Sequence, residues 1–206
     1  MRDARLYGIL DLGYVAVEEA VDKTRALLGG GADILQLRAK GVDREIVREV
    51  ALKLLPLCRE AAVPFVLNDD PPLAAELDAD GVHIGQDDGS LADARAIVGA
   101  GKIIGRSTHS LDQARGALKE GFDYIGFGPL FPTPTKQGRP GIGTQDIMQM
   151  ESEVGSKLPA FCIGGIKRDN LGEVLAAGAK RVVIVSDLLT AEDTQAATAE
   201  VVSRLA

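Results

Sequence analysis

The sequence predicts an α/β protein with a (β/α)8 TIM barrel fold, because eight short apolar segments alternate with stretches of helical periodicity. This alternation is typical of parallel strands that are joined by helical crossovers. Polar or glycine-rich residues follow nearly every apolar segment, which favours a closed barrel over an open, doubly wound sheet. No linker or low-complexity tract divides the 206 residues, so we expect a single domain over residues 1–206.

Each predicted strand is a short apolar run that ends in polar, glycine-rich or proline-rich residues. The eight runs are Leu6–Leu10, Ile34–Leu37, Phe65–Leu67, Gly81–Ile84, Ile103–Gly105, Tyr124–Phe127, Ala160–Ile163 and Arg181–Val185. Helical periodicity between them predicts amphipathic helices, which include Val17–Leu28, Arg44–Ala61, Leu111–Glu120 and Asn170–Ala177.

Similar tripeptides stand directly before several strands, among them Gly31-Ala32-Asp33, Asp78-Ala79-Asp80 and Gly121-Phe122-Asp123. A glycine or another small residue ends a helix readily, and an Asp at such a joint can accept hydrogen bonds from nearby backbone. We therefore assign these joints to the stability of the fold and not to chemistry.

The composition excludes several classes of protein. A net charge of −7 argues against nucleic-acid binding by bulk electrostatics, and the absence of a long apolar segment argues against a membrane protein. Cys58 and Cys162 lie far apart in sequence and match no paired-cysteine motif, so we expect buried, reduced thiols. Reduced thiols and the lack of an export signal predict a cytoplasmic protein.

Functional residues of such barrels lie at the carboxyl ends of the strands. At the second strand, Gln36, Arg38 and Lys40 are spaced by two, so an extended chain would point all three to one side and Leu35 and Leu37 to the other. Solvated strand ends also carry such residues. Because Arg binds phosphate oxygens through two parallel hydrogen bonds, we favour a site for an anionic substrate.

Acidic residues follow the third and fourth strands, in Asn68-Asp69-Asp70 and Gln86-Asp87-Asp88. Neighbouring strands of a barrel bring these carboxylates to the same face of the protein. Mg²⁺ prefers oxygen ligands and is commonly held by one or two carboxylates together with substrate phosphates. We therefore predict a magnesium site, although each Asp taken alone is more typical of a turn or of a helix cap, as for Asp70 before Pro71-Pro72.

The fifth strand leads into Ser107-Thr108-His109, whose hydroxyl and imidazole groups could bind phosphate or transfer protons. Ser110 has the sequence context of a helix N-cap, with Gln113 three residues later. His83 lies inside an apolar strand, where a hydrogen-bonded core histidine is more common than a catalytic one.

The sixth strand continues into Gly128–Lys136, which contains three prolines and is followed by glycines. This composition predicts a loop that closes over the site and excludes water, with Lys136 as a third cation. Gly164-Gly165 follows the seventh strand and Val185-Ser186 follows the eighth. Loops at these two positions of such barrels often bind a phosphate group through backbone N–H groups.

Together these segments resemble the thiamine phosphate synthase family along nearly the whole chain. Their order and spacing are more specific than any one of them. The segments that carry the resemblance are Gln36–Lys40, Asn68-Asp69, Gly81–Asp88, Ser107–His109, Pro132–Lys136, Ile163–Ile166 and Val185-Ser186.

The resemblance implies an enzyme that joins a hydroxymethylpyrimidine diphosphate to a thiazole phosphate, releasing pyrophosphate through a pyrimidine carbocation. It implies Mg²⁺ on Asp69 and Asp88, and catalytic roles for Arg38, Lys40, Ser107 and Lys136. It also implies contacts with the two small-molecule substrates from Gln36, Leu37, Arg38, Ala39, Lys40, Asn68, Ser107, Thr133, Pro134, Thr135, Lys136, Gly165, Val185 and Ser186.

Two other functions stay open at this point. A thiazole tautomerase of similar fold would use His109 as acid and base, although Asn68-Asp69 and the segment Thr133–Lys136 argue against it. A non-catalytic protein that binds thiazole or thiamine phosphate would have no need for both Asp residues and three cations. The sequence leaves open whether the chain forms a homo-oligomer.

Overall fold

Eight parallel strands close into a barrel in the order β1 to β8 in a computed structural model, which describes residues 1–133 and 140–206. The closed (β/α)8 fold predicted from the alternating pattern is therefore confirmed. The strands are β1 Leu6–Asp11, β2 Ile34–Arg38, β3 Phe65–Asn68, β4 Gly81–Ile84, β5 Ile103–Thr108, β6 Tyr124–Phe127, β7 Ala160–Cys162 and β8 Val182–Ile184.

Helices connect the strands and cover the outside of the barrel. A 3-10 turn at Val17–Glu19 replaces the first part of the first predicted helix, and a π-helical turn at Glu151–Gly155 follows α6. The α-helices are α1 Ala20–Gly29, α2 Arg44–Glu60, α3 Pro71–Glu76, α4 Leu91–Val98, α5 Leu111–Glu120, α6 Ile147–Met150, α7 Leu171–Ala176, α8 Ser186–Leu189 and α9 Thr194–Leu205.

The alternation of side chains along each strand separates two apolar layers. Leu35 and Leu37 of β2 belong to the larger layer between the barrel and its helices. A smaller cluster inside the barrel includes the rings of Tyr7, Tyr124 and Phe161, whose centroids lie 5.4 to 5.9 Å apart. Side chains on the inner face of a strand therefore point toward the barrel axis, where Gln36 also lies.

Several strands extend further than their apolar runs predict. Asp11, Arg38 and Asn68 are the last residues of β1, β2 and β3, and Ser107 is the second-last residue of β5. Asp11 pairs in register with Arg38, because the hydrogen-bonded ladder continues beyond the apolar residues. These polar groups therefore stand on strands, which restrict their positions more than loops would.

The Asp residues at the helix-to-strand joints have the structural role that the repeated tripeptides predict. Each accepts a hydrogen bond from the amino end of a neighbouring strand. The three contacts are Leu6 N to Asp33 Oδ2 (2.9 Å), Phe65 N to Asp80 Oδ2 (2.8 Å) and Ile104 N to Asp123 Oδ2 (2.8 Å).

Two predicted helix caps are also confirmed. Asp70 Oδ1 accepts a hydrogen bond from Leu73 N at 2.8 Å where α3 begins, and Ser110 Oγ accepts one from Gln113 N at 3.2 Å where α5 begins. Each cap satisfies a backbone donor that the first turn of a helix leaves unpaired. Asp70 and Ser110 thus serve the fold.

Cys58 and Cys162 are both buried and form no disulfide, as the sequence predicts. Burial in apolar surroundings raises the pKa of both thiols, because the thiolate would lose its hydration. Within residues 1–133 and 140–206, no helix combines the length and the apolar character that crossing a membrane requires.

The joint at Asp33 provides a test of the fold. Asp33 Oδ2 also accepts a hydrogen bond from Arg5 N at 2.7 Å, so Asp33→Ala removes two bonds to the start of β1. We expect the free energy of unfolding, measured by urea denaturation, to fall by about 1 to 2 kcal/mol. Asp22→Ala, which removes only an exposed ion pair with Arg25, is the control and should change it by less than about 0.5 kcal/mol. Equal losses in both variants would contradict the structural role of Asp33.

Candidate active site

A cavity opens at the carboxyl end of the barrel and reaches down between the strands. Its inner part is lined by Tyr7, Tyr124 and Phe161, and loops after β6, β7 and β8 line its mouth. Polar groups at the ends of the strands line the cavity between its inner part and its mouth. The sequence-predicted residues among the described lining are Gln36, Arg38, Asn68, Ser107, Thr133, Gly165, Val185 and Ser186.

An ion pair between neighbouring strands holds Arg38. Arg38 Nη1 lies 2.6 Å from Asp11 Oδ2, and the Asp11 side chain is only 1% exposed. The second oxygen, Oδ1, accepts a hydrogen bond from Gly13 N at 2.9 Å. Asp11 thus orients the guanidinium beside the cavity, and the charge-assisted contact is of the strong kind. Sequence reasoning missed Asp11, although a polar residue that ends the first apolar run is the relevant signal.

A second charged cluster lies at the rim, after β3 and β4. Lys40 Nζ is 3.1 Å from Asp69 Oδ2, and the carboxyl groups of Asp69 and Asp88 are close enough to hydrogen-bond. Burial raises the pKa of Asp69 most, Lys40 opposes this rise, and the charge of Asp88 adds to it. Two carboxylates whose repulsion Lys40 only partly relieves are suited to a divalent cation.

The chemistry of this donor set fits magnesium. Among the described residues no group of three or more His, Cys, Asp or Glu side chains is placed to hold a metal ion. Mg²⁺ does not need such a group, because it usually retains water and takes oxygens from substrate phosphates in addition to one or two carboxylates. Asp69 also has a left-handed backbone conformation, with φ 64°, which is uncommon for a residue other than glycine and is typical of functional sites.

Arg106 fixes the loop that carries Asp88. Its guanidinium donates to the carbonyl oxygens of Gly89 at 2.7 Å and Gln86 at 3.2 Å, and it lies 5.5 Å from the centroid of the Phe122 ring. Asp88 Oδ2 in turn accepts a hydrogen bond from Gly85 N at 2.7 Å. These contacts hold the loop after β4 beside Asp69. The sequence offered no signal for this role of Arg106.

Hydrogen bonds cross the inner part of the cavity between strands of the barrel. Gln36 Nε2 donates to Tyr7 Oη at 2.9 Å, and the Tyr7 and Tyr124 hydroxyls are 2.8 Å apart. His83 Nδ1 lies 2.9 Å from Tyr124 Oη, and His83 Nε2 lies 2.9 Å from Ser107 Oγ. His83 is hydrogen-bonded at both nitrogens, as expected for a structural histidine, but it stands in the cavity wall.

The loops after β7 and β8 form the other side of the mouth. Gly164 and Gly165 have φ values of 98° and 65°, and a Cβ atom on Gly165 would lie 2.6 Å from Phe131 Cβ. Glycine is therefore required here both for the backbone conformation and for the close approach of the loop after β6. Val185 and Ser186 stand where β8 passes into α8. The predicted phosphate-binding residues are thus brought together at the cavity mouth.

Other sequence-predicted residues lie elsewhere. Leu37 packs in the outer apolar layer, so its side chain points away from the cavity, and Ala39 and Lys40 are not part of the described cavity lining. Of the segment expected to close over the site, Thr133 lines the cavity. Pro134, Thr135 and Lys136 lie outside the described residues.

His109 has contacts of a structural kind. Its ring atom Nδ1 makes a short hydrogen bond with the carbonyl oxygen of Gly128, and its backbone N–H donates to Gln113 Oε1 at 2.7 Å. His109 is not part of the described cavity lining, which contains His83 instead. The geometry therefore gives no support to His109 as the central acid and base.

Comparison with known proteins agrees with this geometry. The family model described as thiamine monophosphate synthase matches residues 6–188. The chain is 43% identical over 190 residues to a thiamine-phosphate synthase of Thermus thermophilus, covering 92% of this chain and 91% of that protein. It is 41% identical over 206 residues to the thiamine-phosphate synthase of Halalkalibacterium halodurans, covering 100% and 96%.

A solved structure shows the same arrangement of strands and helices. Thiamine phosphate pyrophosphorylase from Pyrococcus furiosus superposes with a TM-score of 0.88 at 34% identity, covering 99% of this chain and 96% of that one. A 3-hexulose-6-phosphate synthase structure, with a TM-score of 0.70 at 16% identity, shares the fold alone. With the family model and relatives above 40% identity covering nearly the whole chain, the protein belongs to the thiamine monophosphate synthase family.

Proposed function

We propose that this protein is a thiamine phosphate synthase that couples a hydroxymethylpyrimidine diphosphate with a thiazole phosphate to give thiamine phosphate and pyrophosphate. Carbon dioxide is released as well if the thiazole is carboxylated. The observation that carries the proposal is that one cavity has two separate areas for anions. Arg38 lines the cavity at the end of β2, with the pair of Asp69 and Asp88 at its rim after β3 and β4, and Gly165 and Ser186 line it after β7 and β8.

The first area suits the diphosphate. Arg38 and Lys40 would bind its oxygens, and Gln36 and Asn68 would contact the pyrimidine diphosphate from the neighbouring strand positions. Asp69 and Asp88 would hold Mg²⁺, which when bound neutralises charge on the diphosphate. Asp11 supports this assignment because it orients Arg38 before any substrate arrives.

The reaction needs bond breaking before bond formation. The bond between the pyrimidine methylene carbon and the bridging diphosphate oxygen breaks, and both electrons leave with the diphosphate. The lone pair of the thiazole nitrogen then forms the new bond to the methylene carbocation. Arg38 and Lys40 stabilise the negative charge where it develops, and the apolar inner wall of the cavity keeps water from the cation. No side chain is required as a nucleophile.

The second area suits the phosphate of the thiazole. Backbone N–H groups of the loops at Gly165 and Ser186 would bind its oxygens, and Val185 would contact the same substrate. Thr133 also lines the cavity, which supports its predicted contact with a substrate. Contacts from Pro134, Thr135 and Lys136 are retained as predictions from the family resemblance.

We also propose a cytoplasmic protein, which the buried, reduced Cys58 and Cys162 support. A thiazole tautomerase is not favoured, because it would have little use for carboxylates arranged for a metal ion. A protein that only binds its ligand would not need an arginine held by a buried carboxylate beside the carboxylate pair. An assay of product formation distinguishes a synthase from a tautomerase and from a binding protein.

Substitutions at Asp69 and His109 distinguish the coupling reaction from tautomerisation. We expect Asp69→Ala to lower the rate of thiamine phosphate formation about 10² to 10³-fold, because the site would lose one of the two carboxylates that hold Mg²⁺, and the ion neutralises charge on the leaving diphosphate. His109→Ala should retain much of the activity. The measurement is a chromatographic assay of thiamine phosphate and pyrophosphate with both substrates and Mg²⁺. The opposite ranking would contradict the synthase function, and binding of both substrates without turnover would favour a non-catalytic protein.

We expect Asp11 to affect catalysis by orienting the guanidinium of Arg38. Asp11→Asn keeps an acceptor for Gly13 N but removes the charge that holds the guanidinium, so kcat/KM for the pyrimidine diphosphate should fall about tenfold. Asp112→Asn, which removes an exposed Asp–Arg pair with Arg115 on α5, is the matched control and should leave kcat/KM unchanged. Tighter diphosphate binding by Asp11→Asn would instead mean that Asp11 competes with the substrate for Arg38.

Gly165 tests the second phosphate area. Gly165→Ala forces a side chain against Phe131 at a left-handed backbone position, so we expect the KM for thiazole phosphate to rise about tenfold or more. The KM for the pyrimidine diphosphate should change much less. Gly101→Ala is the control, because a Cβ atom there meets nothing within 4 Å. Equal changes in both KM values would argue against a separate thiazole phosphate area.

A further inference from the structure

Three successive carbonyl groups in the loop after β7 each accept a hydrogen bond from the protein. Two of the donors are backbone N–H groups of the loop after β6, and the third is the side chain of Asn170. The contacts are Leu130 N to Ile163 O (2.9 Å), Phe131 N to Gly164 O (3.0 Å) and Asn170 Nδ2 to Gly165 O (3.0 Å). Because a peptide unit is planar, each bond fixes the plane of the unit that it reaches.

The opposite edges of the same three peptide units carry the N–H groups of Gly164, Gly165 and Ile166. In a trans peptide, the C=O of one residue and the N–H of the next point in opposite directions. Within the described part of the chain, none of these three N–H groups donates to a protein acceptor. All three residues line the cavity. Successive N–H groups in a turn are suited to binding an anion.

Asn170 makes two contacts that determine the orientation of its amide. Nδ2 donates to Gly165 O, and Oδ1 accepts a hydrogen bond from Lys167 N at 2.8 Å. The reversed amide would place its oxygen against the carbonyl and its NH₂ group against the N–H, so the two contacts agree on one orientation. Asn170 is the N-cap residue of α7 and is not part of the described cavity lining. The Gly165 carbonyl is therefore held on the side of α7.

The same contact sets the direction of the Ile166 N–H. Because Gly165 O points toward Asn170, the N–H of that peptide unit points away from Asn170. Ile166 is only 3% exposed, and a buried N–H without an acceptor costs folding free energy. An anionic oxygen in the cavity that Ile166 lines would satisfy this N–H.

We propose that Asn170 is a positioning residue that acts through the peptide unit between Gly165 and Ile166, directing the N–H of Ile166 toward a phosphate oxygen of the ligand in the cavity. The N–H of Ile166 thereby becomes a further phosphate donor beside those at Gly165 and Ser186. That the phosphate belongs to the thiazole substrate rests on the proposed function, whereas the direction of the N–H does not.

An ion pair joins this loop to the loop after β8. Arg168 N and Arg168 Nε both donate to Asp187 Oδ2, at 3.0 and 2.9 Å. Because Asp187 directly follows Ser186, the pair holds the two loops together and offsets the repulsion between the Asp187 carboxylate and a phosphate. Arg168 O in turn accepts a hydrogen bond from Arg204 Nη1 of α9 at 2.6 Å. The ion pair therefore supports a site in which donors from both loops bind one phosphate group.

Asn170→Asp tests the positioning role with almost no change in shape. The carboxylate keeps an acceptor for Lys167 N but replaces the donor to Gly165 O by an oxygen that repels this carbonyl. We expect the KM for thiazole phosphate to rise about 10- to 100-fold, as for the loss of a hydrogen bond to a charged group. The kcat and the KM for the pyrimidine diphosphate should stay nearly unchanged. The measurement is the assay of thiamine phosphate formation with each substrate varied in turn.

Asn170→Ala separates the lost donor from the added charge. It removes the bond to Gly165 O without a new carboxylate, and we expect the KM for thiazole phosphate to rise about tenfold. Asp193→Ala is the matched control, because it removes the N-cap bond to Ala196 N at the start of α9, outside the described cavity lining. It should change neither KM. An unchanged KM for thiazole phosphate in Asn170→Ala would mean that Asn170→Asp acts through its charge, which would overturn the positioning role.

The Ile166 amide can be observed without any turnover. We expect its ¹H signal in ¹H–¹⁵N NMR to move downfield when inorganic phosphate is added to the unsubstituted protein, because the N–H gains a charged acceptor. The shift should be much smaller in Asn170→Asp and Asn170→Ala, and it should persist in Asp193→Ala. An Ile166 signal that stays in place at every phosphate concentration in the unsubstituted protein would overturn the inference.

The outcomes separate this proposal from the proposed function. If the unsubstituted protein forms no thiamine phosphate, the proposed function fails, and the phosphate titration still decides the role of Asn170. A downfield shift that depends on Asn170 supports the positioning role, and equal shifts in all variants overturn it. Equal increases of both KM values in Asn170→Ala would show a general loss of structure and would also overturn it.

Discussion

The parallel register of the barrel is the constraint on which the site depends. Each strand places its carboxyl end at the same face, and the ladder between β1 and β2 brings Asp11 and Arg38 directly beside each other. The carboxylates at the helix-to-strand joints hold the opposite ends of several strands through hydrogen bonds to backbone N–H groups. Contacts at the amino ends thus help to set the positions of charged groups at the carboxyl ends, because a strand shifted by one residue would turn its side chains to the other face.

Charge at the mouth is organised in pairs. Arg38 is held by Asp11, Lys40 lies against Asp69, and Arg106 holds the loop that carries Asp88. A protein with a net charge of −7 has no general attraction for anions, so a diphosphate must be recognised by groups that are oriented in advance. Orientation before binding lowers the reorganisation that the reaction requires, which is how electrostatic stabilisation of a leaving group becomes effective.

The inner cavity combines apolar rings with a small number of ordered polar groups. Tyr7, Tyr124 and Phe161 exclude water, and the hydroxyls of the two tyrosines are satisfied by one another, by Gln36 and by His83. Unsatisfied polar groups at this depth would cost folding free energy. The same bonds link side chains from β1, β2, β4, β5 and β6 across the interior of the barrel.

The sequence by itself determined the fold class and the family, because apolar periodicity and the order of the polar segments are local properties of the chain. It also indicated which strand ends carry polar groups, and the structure brings Gln36, Arg38, Asn68 and Ser107 together at the cavity. Only the tertiary structure decided their partners. Asp11 meets Arg38 across 27 positions, and Tyr7 meets Tyr124 across 117. No local pattern encodes such pairs, since they arise when the sheet closes and the inward faces of distant strands meet.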